Sequence, residues 1–466
     1  MSESLFDKLW RSHLVDTLAE GVDLIDIDLH LLHDLNGPGA LRALQERGLE
    51  LRAPGQTFAT PDHSVSTEPG RTDGSSEAGR RRLPVLRRLC EAFGVRLFDL
   101  DSAEQGIVHV VGPELGLTLP GLSIVCGDSH TCTQGAFGAL AWGIGATEVM
   151  QVLAAQMLIL ERPKSMRITI DGRLGDGVTA KDLILYIIGR HGASGGVGHA
   201  VEFAGEAVRT LSVEARMSLC NLAVEFGARF GFIAPDETTY AYLEGRPYAP
   251  TGELWDLALE SWRALSSDAD AMFDRELAVD AAEVTPQITW GVTLDDVVAL
   301  SGSVPDLSPR ASAAETATRQ ATLDYMGLEP GAPLAGMPIQ HVFIGSCANS
   351  RLSDLQAAAA VVEGRHVAPG VRAIVVPGSQ GVKRAAERLG LDKVFQEAGF
   401  QWREPGCSMC VAMNGDIVPS GERCISTSNR NFVGRQGPGA RTHLASPVTA
   451  AASAILGHVA SAGSLR

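Results

Sequence analysis

Gly345-Ser346-Cys347 and, 60 residues on, Pro405-Gly406-Cys407-Ser408-Met409-Cys410 put three thiols on glycine-bearing loops. The first loop follows the apolar run His341–Ile344, and Ala373–Val376 ends in the same way at Pro377-Gly378. Apolar runs that stop at glycine, with helical stretches between them, indicate an α/β fold, and open α/β sheets place ligands where their strands stop. A C-x-x-C by itself suits half a zinc site, a redox pair or two cluster ligands. The third thiol favours a cubane, because three thiolates hold three irons and leave the fourth open, whereas a structural site closes its coordination. Zinc stays open as the alternative, with Cys424 as its fourth ligand, although Arg-Cys-Ile-Ser-Thr around that residue reads as a strand carrying a buried free thiol. Cys90, Cys126 and Cys220 read as core, and Cys132 is ambiguous.

Further elements follow from pattern. Leu122–Cys126 and Met166–Ile170 read as strands, Thr179–Ile188 as a helix capped by Thr179, and Ser353–Val362 as another helix. Ala136–Leu160 reads as one helix weakened at Gly143 and Gly145. Ala264–Pro333, rich in Ser, Asp, Pro and Ala, reads as an irregular excursion and connector. Neither glycine cluster matches a nucleotide loop: Gly143-x-Gly145 has Glu148 where a third glycine belongs, and Gly192–Gly198 lacks the Lys-Ser/Thr ending.

At 466 residues the chain exceeds one compact core. Its formal charge of −16 disfavours nucleic acid as a partner. The first 15 residues mix acids and bases and lack a signal-like apolar core, and the apolar stretch Val152–Leu160 is too short to span a bilayer. Eight cysteines in such a chain read as thiols or metal ligands rather than disulfides. These features imply a cytoplasmic protein without a membrane partner.

Several ordered motifs carry a family resemblance over nearly the whole chain: Thr60-Pro61-Asp62-His63, Gln105-Gly106-Ile107-Val108-His109, Val125-Cys126-Gly127-Asp128-Ser129-His130-Thr131, Val201-Glu202-Phe203, Ala234-Pro235-Asp236-Glu237-Thr238-Thr239, the cysteine loops, and Ser426–Arg435 with Asn429, Arg430 and Arg435. The chain resembles the aconitase superfamily, within it the bacterial-type large subunits of 3-isopropylmalate dehydratase. The resemblance implies three α/β domains packed around one 4Fe–4S cluster, at 1–163, 164–310 and 311–466, with the swivel domain absent. It implies Cys347, Cys407 and Cys410 as cluster ligands with one open iron. It further implies Asp62, His63, His109, Asp128, His130 and Glu202 as catalytic groups, and Asn429, Arg430 and Arg435 as substrate-binding ones. The implied reaction is dehydration and rehydration of a small dicarboxylate hydroxy-acid, interconverting 2- and 3-isopropylmalate through isopropylmaleate in leucine biosynthesis. The implied partner is a small subunit that carries the swivel domain and a serine base.

The residue chemistry agrees with that reading. Hydroxide leaves poorly, so a Lewis acid and a proton donor both help. Arginine forks hold carboxylates at two points, and His beside Asp keeps a proton near neutrality. Leu29, Gly39, Cys132, Gln134 and Ala348 depart from the family pattern, where Arg, Gln, Ala, His and Thr are usual. These departures suit either drift in a leucine-pathway enzyme or a paralogue acting on another 2-substituted malate. An RNA-binding relative and a zinc-stapled scaffold are the non-catalytic alternatives.

Overall fold

The protein is described by a computed structural model covering residues 2–306 and 312–465. Three parallel sheets, each drawn from its own stretch of chain, form its frame. The first runs in the order Arg96–Leu97, Thr57–Thr60, Leu29–His33, Ser123–Cys126 and Leu140–Gly143. The second runs Phe230–Phe232, His199–Ala204, Lys164–Asp171 and Arg275–Asp280, and the third Gln401–Trp402, Arg372–Val375, His341–Ile344, Arg423–Ser426 and Arg441–Leu444. Every residue of Ser123–Cys126, His341–Ile344 and Arg423–Ser426 is buried, as strands covered on both faces require. A three-stranded antiparallel sheet (Leu14–Ala19, Val22–Asp26, Met157–Glu161) and the hairpin Gln287–Thr289/Val297–Ala299 complete the strands.

Helices cover the sheets through apolar faces. Leu41, Leu86 and Leu89 pack with Leu32 and Val125 of the first sheet, Leu183 and Ile187 with Ile168 and Val201 of the second, and Leu355 and Ala451 with Val342 and Ile425 of the third. Thr179 caps the helix Ala180–His191 in a capping box with Asp182, and the helix Leu352–Val362 follows the Cys347 loop as the sequence indicates. No helix among the described residues is long and apolar enough to cross a membrane.

Two expectations fail. The stretch read as one helix over 136–160 contains the end of a 3-10 segment (Ser129–Phe137), a strand (Leu140–Gly143), a helix (Ala146–Ala155) and a second strand from Met157. Gly138 and Gln156 both adopt the left-handed region, which ends each helical segment. The region 264–333 is not an irregular excursion: Arg275–Asp280 is an edge strand, and Ala313–Met326 is a helix capped by Ser312. Ile288, Trp290, Leu300 and Val304 lie in the core of the third sheet. The boundary expected between 310 and 311 lies outside the described residues.

Close backbone approach locks the first sheet's loops onto the second. A Cβ on Gly135 would stand 1.8 Å from the carbonyl oxygen of Gly231, while Ile233 donates its N–H to the Gly135 carbonyl at 3.0 Å. Gly135→Ala must therefore separate two backbones. It is expected to cost about 3 kcal/mol, the upper end for overpacking, read as a lowered urea midpoint with an unchanged slope.

Candidate active site

Loops at the carboxyl ends of the first and third sheets converge. Cys407 donates its backbone N–H to the carbonyl of Asp62 at 2.8 Å, tying the C-x-x-C loop to the Asp62-His63 loop. Among the described residues four non-glycine residues have positive φ, and three flank the cysteines: Ser346 (78°), Ser408 (49°) and Ala412 (55°). Such backbone is costly and persists where surrounding structure enforces it, which is common at functional sites.

The three thiols are buried, at 7, 6 and 7% exposure for Cys347, Cys407 and Cys410. Asn221 and Asn429 point amide N–H groups at the Cys347 sulfur from 3.2 and 3.4 Å. The hydroxyl of Ser346 lies 3.5 Å from the Cys410 sulfur. Burial pushes the Cys407 thiol well up, with Asp62 and the other two cysteines adding to the shift. Burial acts on Cys410 in the same direction, but the Arg435 guanidinium and the Ser346 hydroxyl outweigh it and hold this thiol down. Among the described residues, the one set of three or more potential metal ligands whose donor atoms all fall within 4.8 Å is His33, Asp34, Asp62 and His63. The cysteine sulfurs do not meet that spacing, whereas a single zinc with bonds of about 2.3 Å would draw its sulfurs to about 3.8 Å.

The His33 set is a structural knot. Asp34 accepts the backbone N–H groups of Asp62, His63 and Ser64 at 2.9, 3.0 and 2.7 Å. Asp62 accepts from His63 Nδ1 at 2.5 Å and from the Val108 N–H at 3.0 Å. Both carboxylates are thereby occupied in holding His63 in place.

Asp128 gathers three imidazoles. His109 Nε2 lies 3.1 Å from Oδ1, His130 Nδ1 3.3 Å from Oδ1, and His63 Nε2 3.4 Å from Oδ2. Burial would raise the Asp128 carboxyl, but these imidazoles, His109 foremost, hold it well below the usual range. For His63 burial favours the neutral ring, and the carboxylates of Asp62 and Asp128 outweigh it, raising the imidazole well above its ordinary value. The tautomer of His109 follows from its neighbours. Thr118 donates to Gln134 Oε1 at 2.6 Å, so the amide nitrogen of Gln134 faces His109 Nδ1 at 3.3 Å, leaving Nε2–H to donate to Asp128. Gln134, noted in the sequence as a departure, therefore orients a site imidazole.

The chain of contacts continues from His130 Nε2 to Glu225 Oε1 at 2.9 Å, and from Glu225 to Arg430 Nε at 2.6 Å. Asn429 is fully buried, with its amide between Asn221 and the thiols. Arg435 reaches within 4.0 Å of the Cys410 sulfur, and its Nε is a buried donor without a partner. An unsatisfied guanidinium N–H on a side chain that reaches the thiols suits an anionic ligand.

Of the residues read from the sequence, Asp62, His63, His109, Asp128, His130, Cys347, Cys407, Cys410, Asn429, Arg430 and Arg435 thus come together. Glu202 does not. It lies with Ala200 on the strand face opposite Val201 and Phe203, accepts from Ser267 at 2.5 Å, and lines a separate 260 Å³ cavity with Arg167, Arg209 and Arg216. The carboxylate at the site is Glu225, one turn beyond the helix Val213–Asn221. The Asn221-x-x-x-Glu225 spacing, two polar groups one helical turn apart within the otherwise apolar stretch Leu219–Phe226, was the available signal.

Carboxyl-end loops of parallel sheets that join thiols, carboxylate-held imidazoles and arginines mark the ligand site of an α/β enzyme. The chain belongs to the aconitase family (aconitate hydratase), whose pattern matches residues 7–457. It is 58% identical over 457 residues to a protein named 3-isopropylmalate dehydratase large subunit 1 from Bradyrhizobium diazoefficiens, covering 98% of this chain and 96% of that one. The crystal structure of Thermococcus kodakaraensis aconitase X in its holo form is a looser match, with a TM-score of 0.47 at 13% identity over 88% of this chain and 84% of the other.

Proposed function

We propose that this chain is the large subunit of a 4Fe–4S hydro-lyase that interconverts 2- and 3-isopropylmalate through isopropylmaleate, as in leucine biosynthesis. The observation that carries the reading is the meeting of three buried thiols on strained loops with the His63–Asp128–His130–Glu225–Arg430 chain. The residues present fit a cluster: Cys347, Cys407 and Cys410 would hold it, and the amides of Asn221 and Asn429 already point at thiol sulfur. The chemistry a bound cluster supplies is Lewis acidity toward the substrate hydroxyl.

The chain's own groups do the rest. Arg430 and Arg435 bind the substrate carboxylates. His63, kept protonated between Asp62 and Asp128, gives its proton to the departing hydroxyl and takes it back on rehydration. Asp128 holds His109 and His130 in register, and Glu225 aligns His130 with Arg430. The domain boundaries at 1–163 and from 164 agree with the separate strands of the first two sheets. Near the second boundary the hairpin Gln287–Thr289/Val297–Ala299 packs on both units, Ile288 and Trp290 with the third sheet and Leu294 with the second. A separate small subunit with the swivel domain and the serine base is supported by the words "large subunit" in the name of the 58% identical relative.

The open space at Gly39 favours a second reading of specificity. A Cβ there meets nothing within 4 Å, and the neighbouring Asn36 touches Gly127 beside the Asp128 loop. Gly39 is exposed, so a glutamine at this position is accommodated without a clash. The test is an anaerobic assay of 2-alkylmalates with cluster-loaded chain, with and without the small subunit. Isopropylmalate preferred, with turnover dependent on the partner, is the expected outcome. Preference for another substituent, shifted toward isopropyl by Gly39→Gln, would establish the second reading, and full turnover by the isolated chain would refute the split site.

A further inference from the structure

Lys181 is fully buried, and its surroundings do not account for its charge. It stands at the second position of the helix Ala180–His191, where the helix dipole opposes a cation. Its Nζ donates to the carbonyls of Ser428 at 2.7 Å and Thr427 at 3.3 Å, and no carboxylate lies within 4.0 Å of it among the described residues. The adjacent Asp182 is turned away, accepting from Thr179 and from the Gln287 N–H. A buried ammonium without an anionic partner is expensive, and an apolar side chain of that length would avoid the expense.

The far side of the loop that Lys181 grips faces the cysteine sulfurs. Ser428 precedes Asn429, whose amide is 3.4 Å from the Cys347 sulfur and 3.9 Å from that of Cys410. Burial pushes the Lys181 ammonium down to about 8, and Cys410 followed by Cys347 are the foremost groups that pull it back. The other acids that act on it, Glu225 and Asp354, are already engaged with His130 and Arg430 and with Asn349 and the Arg351 N–H.

We propose that Lys181 is the buried counter-charge of the cysteine-held cluster, a positioning residue that raises its reduction potential and steadies the Asn429 loop against Cys347 and Cys410. This inference rests on the cluster reading above. A cluster bound by three thiolates is anionic and becomes more so on reduction, so a fixed cation nearby favours the reduced state. Lys181 takes no part in substrate binding or proton transfer.

The test compares wild type, Lys181→Met and Lys181→Arg after anaerobic reconstitution, by iron and sulfide content and by a reductive titration followed by electron paramagnetic resonance. Lys181→Met is expected to keep a cluster that is reduced at a lower potential than the wild type, with Lys181→Arg nearer the wild type. An unchanged potential in Lys181→Met overturns this inference alone. If Lys181→Met takes up no cluster, uptake by Lys181→Arg supports the charge role, and failure of both marks a packing role and overturns it. A wild-type chain that binds no cluster overturns the cluster reading and this inference together.

Discussion

Cys407→Ser is expected to yield a folded chain that takes up no complete cluster on anaerobic reconstitution and loses activity by more than about 100-fold, beyond the usual effect of disturbing a ligand's neighbours. Cys347→Ser and Cys410→Ser should behave alike. Serine offers a hard oxygen with a much higher pKa where iron–sulfur chemistry requires a soft thiolate. Cys424→Ser is the control: that thiol is fully buried in the strand Arg423–Ser426, and its nearest polar contact is the Ile425 carbonyl at 3.5 Å. It should keep full iron and sulfide content. Cluster uptake should also quicken as pH rises, because burial pushes the Cys407 thiol well up and Cys347 up to about 12, and both must lose protons to bind metal. A full cubane in the Cys407 variant would remove it from the ligand set.

Asp128→Asn should lower kcat by about 1,000-fold, within the range for general acid–base groups, while cluster content stays normal. The amide keeps the shape but loses the charge shared by His63, His109 and His130. His63 then retains only Asp62 to hold its proton, so its pKa falls. Because His63 acts as an acid when protonated, its activity is lost as pH rises through that pKa. The alkaline limb of kcat/KM must therefore move to lower pH in the variant. Stability follows the opposite limb: a carboxyl held well below its ordinary value contributes fully above about pH 3.8 and loses that contribution as pH falls through the folded value. Wild type and variant should converge in stability in strong acid. Unchanged pH limbs with normal kcat would place the proton donor elsewhere.

Local pattern carried much of this. The strands at 123–126, 164–171 and 341–344, and the helices entered at Thr179 and near Leu352, are signalled by apolar runs, glycine stops and caps that act within a few residues. The helix read over 136–160 failed because alanine-rich composition says nothing about Gly138 and Gln156 turning left-handed. The region 264–333 failed because a strand such as Arg275–Asp280, largely exposed and at a sheet edge, shows little apolar pattern.

At the site, residue types and motif order determined the thiols, the imidazoles, Asp62, Asp128 and the arginines, since chemistry of that kind is written into side-chain identity. Between Glu202 and Glu225, the tertiary structure decided which carboxylate meets His130. Both are glutamates in apolar surroundings, but strand pleat sends Glu202 toward Ser267, whereas packing of the segments 129–137 and 213–226 brings Glu225 against His130. The same packing gave Gln134 and Lys181 their places beside His109 and the Asn429 loop. Contacts between residues tens to hundreds of positions apart depend on how whole sheets dock, and no local periodicity encodes that.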